Sequence, residues 1–77
     1  MKVSISDVRR LVNEINAKNG FDKVDGKTVG ALHLYSDGLG LAIDKIMNES
    51  GGVRRLAGGG LTKSEAYYYL VGVLASN

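Results

Sequence analysis

The sequence predicts an α+β domain in which two helices pack on one face of a small antiparallel three-stranded sheet, in the order α-β-β-β-α. Three observations lead there. An apolar stripe of helical period opens the chain. A central stretch sorts its apolar and polar residues onto separate faces when folded as a hairpin. A capping box then starts a second helix at Thr62.

The first helix is expected from Val3 to Asn19. Val8, Leu11, Val12 and Ile15 recur at the i, i+3, i+4, i+7 spacing of one helical face, and Ile5 extends the stripe back by a turn. Ser4 suits the N-cap and Asp7 the N3 position, where its carboxylate also meets the positive end of the helix dipole. Val3 and Val8 occupy the positions of a hydrophobic staple. Asn19-Gly20 supplies the stop, because glycine takes the left-handed conformation without steric cost. Phe21 to Lys27 is polar, with a turn expected at Asp25-Gly26.

From Thr28 two patterns compete. Leu39, Ala42, Ile43, Ile46 and Met47 fit a helical period, with Ser36 or Asp37 as cap. The same residues fit a hairpin turning at Asp37-Gly38, a pair suited to a type I′ turn. A two-residue loop there sets Ser36 opposite Leu39, Leu34 opposite Leu41 and Leu32 opposite Ile43. His33 then faces Ala42, and Tyr35 faces Gly40, on the other side of the sheet. This sorting favours the hairpin. Asn48 to Gly52 is a turn under either reading, Val53 to Ala57 a short third strand or merely extended chain, and Gly58 to Gly60 a flexible connector. The final helix opens on Thr62-Lys63-Ser64-Glu65, with Leu61 and Ala66 as staple and Tyr67, Leu70, Val71 and Leu74 as core stripe.

Composition narrows the function more by exclusion than by indication. Residues 1–77 make one small domain, 44% hydrophobic and 23% charged, with a net charge of +2. That charge is too mild to call for nucleic acid by itself. With no cysteine and only His33 as histidine, neither disulfides nor a zinc site is expected. No signal-peptide or membrane-spanning run is seen, so a cytoplasmic protein is expected.

Candidate chemistry fares no better. Residues 57–64, AGGGLTKS, fail the phosphate-loop pattern, because Ala57 and Thr62 stand where its glycines belong. An anion at the start of the last helix, beside Lys63, is less favoured than a turn whose donors are already met. His33, Tyr35 and Asp44 share a sheet face, yet no nucleophile accompanies them, so no catalytic residue, cofactor or metal is expected. The basic residues Arg9, Arg10, Arg54 and Lys63 form the alternative, a small nucleic-acid-binding module, though solvated surface charge is the simpler account. The most informative oddity is the run Tyr67, Tyr68, Tyr69, with Val73 beyond it. Consecutive helical positions differ by about 100°, so three tyrosines cannot share one core face. These four residues are the candidate interaction surface, tyrosine being common at interface hot spots.

Asn48, Glu49, Gly51, Gly52, Leu61, Thr62, Lys63, Glu65, Ala66, Tyr67 and Leu70 form a pattern of an Asn-Glu-x-Gly-Gly turn followed by a Leu-[Ser/Thr]-Lys-x-Glu-[Ala/Leu]-Tyr helix. Across about half the chain this resembles small uncharacterised proteins of tailed bacteriophages and prophages. The hairpin turn, Ser36 to Gly40, departs from that pattern. The resemblance implies the α-β-β-β-α order and a phage-like origin, and it implies no activity. The expected function is therefore that of a non-enzymatic accessory protein. It would bind itself as a homodimer, or a host or phage protein, through its tyrosine-bearing helix.

Overall fold

The computed structural model describes residues 2–21 and 28–76, and the expected turn at Asp25-Gly26 lies outside them. Helix α1 spans Ile5–Lys18, strands β1, β2 and β3 span Leu32–Asp37, Gly40–Ile46 and Val53–Leu61, and helix α2 spans Lys63–Ser76. The strands form one antiparallel sheet in the order β1-β2-β3. The α+β fold expected from the sequence is the fold observed.

Helix α1 begins where its cap dictates. The Ser4 hydroxyl accepts from the Asp7 N–H at 3.2 Å, and Asp7 Oδ2 accepts from the Ser4 N–H at 3.0 Å. Val3 therefore lies outside the helix, but it is buried together with its staple partner Val8. The other end closes as a Schellman motif. The Phe21 N–H donates to the Asn16 carbonyl and the Gly20 N–H to that of Ala17, with Gly20 at φ +90°.

The buried face of α1 holds Val8, Leu11, Val12 and Ile15, as the stripe predicts, and also Asn16. That amide is 2% exposed, and both its nitrogen and its oxygen are hydrogen-bonded. Its Nδ2 donates to the Leu32 carbonyl at 3.0 Å, and its Oδ1 accepts from the Leu32 N–H at 2.8 Å. One side chain thus satisfies both main-chain groups of a residue on the edge strand, as a neighbouring strand would.

The hairpin forms, but its turn falls one residue later than expected. Asp37 pairs with Gly40, so the loop is Gly38-Leu39, and the pairs become Ser36–Leu41, Tyr35–Ala42, Leu34–Ile43, His33–Asp44 and Leu32–Lys45. Moving the loop by one residue shifts cross-strand partners by two, which preserves every residue's face. Leu41 and Ile43 still point at the helices with Leu32 and Leu34. Leu39 sits at the tip, 82% exposed, and plays no part in the core.

Strand β3 runs on through the glycines that the sequence suggests are a connector. Ala42 faces Gly58 and Leu41 faces Leu61, so the glycine run is bulged strand. Close approach requires glycine at Gly58 and Gly40. A Cβ on Gly58 would lie 2.5 Å from Ala42 Cα, and one on Gly40 would lie 2.7 Å from the Gly60 carbonyl carbon.

The core joins α1 (Val8, Leu11, Val12, Ile15), β1 (Leu32), β2 (Leu41, Ile43) and α2 (Ala66, Leu70), with Val3 beside them. Helix α2 packs against α1 and the sheet. Among the described residues no helix is long and apolar enough to cross a membrane.

Candidate functional site

Helix α2 is capped as its sequence requires. Glu65 Oε1 accepts from the Thr62 N–H at 2.9 Å, and the Thr62 hydroxyl accepts from the Glu65 N–H at 3.1 Å. These hydrogen bonds hold the Glu65 carboxyl below its ordinary pKa, the backbone bond contributing most. The cap fixes where the helix starts and thereby which side chains face inward.

Inward-facing positions centre on Ala66 and Leu70, both fully buried, with Tyr67, Tyr69, Val73 and Leu74 packed partly against the core. This corrects the expected stripe at one point. Val71 turns outward and is 39% exposed, because the buried face is centred nearer Ala66 than Tyr67. The tyrosine run divides as helical geometry requires. Tyr67 and Tyr69 flank the core, and Tyr68 stands outside at 63% exposure. Its ring meets that of Tyr67 edge-on, centroids 5.6 Å apart and planes at 87°.

Tyr68, Val71, Gly72 and Ala75 are all exposed, at the i, i+3, i+4, i+7 spacing of one face. Helix α2 therefore has a second uncharged stripe, opposite the one it buries. No charged residue occurs between Ala66 and Ser76. Helix α1, by contrast, sets Arg9, Arg10, Glu14 and Lys18 outward. A shallow groove lined by Tyr68, Tyr69, Gly72, Val73 and Ser76 runs beside the stripe, and the missing side chain of Gly72 leaves it open. Of the four expected interaction residues, the structure exposes Tyr68 and gives Tyr67, Tyr69 and Val73 shared roles in the core. Val71, Gly72 and Ala75, which share the exposed face with Tyr68, were not among them. The absence of charge from Ala66 to Ser76 is the signal that could have found them.

On the sheet face away from the helices, His33 stands opposite Asp44 and Tyr35 opposite Ala42. Asp44 is 3% exposed, and its Oδ1 accepts from Arg55 Nε at 3.1 Å. The Arg55 guanidinium also lies over the Tyr35 ring, 5.6 Å from its centroid. One arginine on β3 thus joins β2 by an ion pair and β1 by a cation–π contact. Among the described residues no buried side-chain nitrogen or oxygen lacks a hydrogen-bond partner. The cluster braces three strands, and Asp44 is committed to Arg55 instead of His33.

The basic residues of the alternative reading are not gathered into one patch. Arg10 is paired with Asp7 at 3.2 Å. Arg54 faces Lys45, whereas Lys63 follows Leu61, which faces Leu41. Arg54 and Lys63 are therefore separated by about four residues of β2, roughly 13 Å. Arg9 lies elsewhere, beside a groove between α1 and β1. Among the described residues no three metal-ligating side chains come together. Compared with protein-family models, with curated proteins and with solved structures, the chain finds no match.

Proposed function

We propose that this domain is a protein-interaction module, an accessory protein of the phage or prophage kind, whose working surface is the outer face of α2. The observation that supports this reading is the second apolar stripe, Tyr68, Val71, Gly72 and Ala75, on a helix already anchored by its opposite face. A helix apolar on both sides, and uncharged from Ala66 to Ser76 as this one is, is ordinarily covered on both. Gly72 and Ala75 are small enough for a second helix to come close, and Tyr68 offers a stiff amphipathic anchor beside them. The occupant is a helix from a second copy of the chain, or from a host or phage protein.

Sedimentation across a wide concentration range, together with Tyr68→Ser and Val71→Ser, tests the proposal. Self-association or partner binding should weaken by about tenfold or more in each variant, while the unfolding midpoint changes little, since both residues are exposed. A monomer at high concentration whose partner binding ignores both substitutions would sink the idea. Binding that instead collapses between about 50 and 200 mM salt would point to phosphate contacts by the basic residues.

A further inference from the structure

The edge of β1 points to a second binding surface. Asn16 accepts from the Leu32 N–H and donates to the Leu32 carbonyl, so both main-chain groups of Leu32 face away from β2. The Ala31 carbonyl, one residue earlier, accepts from the Ile46 N–H and so faces β2. Main-chain direction alternates along an antiparallel strand, so Leu34 and Ser36 also present their N–H and C=O to the outer edge. Asn16 covers the edge at Leu32 and stops there.

Beside those groups runs a groove of about 210 Å³ between α1 and β1. Val12, Leu32 and Leu34 give it apolar lining, and Arg9, Asn13, Asn16 and His33 complete it. Arg9 is exposed and has no carboxylate partner among the described residues, where the ion pairs are Arg10–Asp7 and Arg55–Asp44. A strand laid against Leu34 and Ser36 would turn alternate side chains toward α1, beneath Arg9 and Asn13. A carboxylate at that position meets a guanidinium and an amide donor, and a basic side chain there meets repulsion.

We propose that the β1 edge, roofed by α1, is a strand-addition site for an extended acidic segment of a partner protein. Main-chain hydrogen bonds to Leu34 and Ser36 supply the pairing, and Arg9 selects the acidic side chain. Asn16 sets the register, because the added strand must stop short of Leu32. This site is separate from the α2 stripe and does not depend on it.

The test uses a blocked pentapeptide, acetyl-Thr-Val-Glu-Val-Thr-amide, titrated into the isotope-labelled protein. The Leu34 and Ser36 amide signals should shift and their hydrogen exchange should slow. The same peptide with Gln for Glu should bind about tenfold more weakly, the cost of losing one charge-assisted contact. Arg9→Glu should reverse the preference in favour of a Lys peptide. Ser36→Pro removes an outward N–H and leaves the ladder to β2 intact, so it should abolish the response. Tyr68→Ser should leave all of this unchanged, which separates failure here from failure of the α2 reading. The proposal is overturned if millimolar peptide leaves Leu34 and Ser36 unmoved or if Glu and Gln peptides bind equally. It is also overturned if these amides respond to protein concentration alone, since a second copy would then occupy the edge.

Discussion

Asn16 shows how much of this fold can rest on a single polar side chain. Its amide is buried and meets the only two main-chain groups that Leu32 turns toward α1. Asn16→Leu keeps the volume but leaves that N–H and C=O unpaired beneath the helix. A loss of roughly 1–3 kcal/mol is expected, measurable by chemical denaturation, and Asn16→Asp should be no better because a carboxylate cannot donate. The two capping carboxylates are more accessible to solvent. Asp7 and Glu65 both titrate below their ordinary values of 3.8 and 4.5, mainly through hydrogen bonds from Ser4 and Thr62. A lowered folded-state pKa means that the unfolded chain binds protons more readily. Their contribution is therefore complete above those ordinary values and is lost as pH falls through the lower folded-state ones. Thr62→Ala should return the Glu65 titration, followed by NMR, toward 4.5. It should also cost roughly 0.5–2 kcal/mol at neutral pH through the lost cap.

Among the elements, β3 departs furthest from regularity. Its pairing with β2 slips between Ile43 and Asp44 and again between Leu41 and Ala42. The second slip is where backbone approaches backbone too closely for a side chain. Gly58→Ala meets Ala42 at contact distances no real Cβ adopts, with φ at +129°. Gly59→Ala meets nothing within 4 Å, although its φ of +94° remains unfavourable. The first should cost clearly more than the roughly 1–3 kcal/mol of backbone strain alone, and the second about that amount. Thermal unfolding of the pair would show the difference, and equal midpoints would contradict the packing described. Both helices and the hairpin were legible in the sequence, because caps and apolar period are local signals. The glycine run was not. Three glycines carry no period; Gly58 is there because the backbone of β2 lies against it, while Gly59 and Gly60 hold positive φ angles that favour glycine. The loop position was misplaced for a similar cause: Asp37-Gly38 is the better turn pair locally, yet the observed pairing places Gly40 against Gly60, where only bare backbone fits. The Arg55–Asp44–Tyr35 brace depends on three strands at once and could not be read from any one of them. At the candidate site, the surplus of tyrosine was visible, but which face Val71 takes depends on how α2 is rotated against α1.

At the scale of the molecule, the surface is divided unequally. Charge is set on α1, and the outer stripe of α2 is left without any. Introducing a charge there tests whether that stripe is free in solution. Val71→Lys should be tolerated with a change of no more than about 0.5 kcal/mol if the helix is exposed in the working state. It should dissociate or destabilise a complex if the helix is covered. Circular dichroism melts at two protein concentrations distinguish these outcomes, because only an associating protein has a concentration-dependent midpoint.

The packing of α2 on α1 also sets the order of events when the chain is made. Synthesis delivers α1 and the three-stranded meander first, and every strand pairing joins neighbours in sequence. Leu11, Val12, Ile15 and Ile43 belong to a cluster that also requires Ala66 and Leu70. A nascent chain that has produced the sheet but not residues 66–70 therefore holds an open apolar cleft, the kind of surface that invites aggregation or chaperones. The helix whose outer face is proposed to bind is the one whose inner face seals the domain, so any assembly on that outer face would begin only after folding has finished.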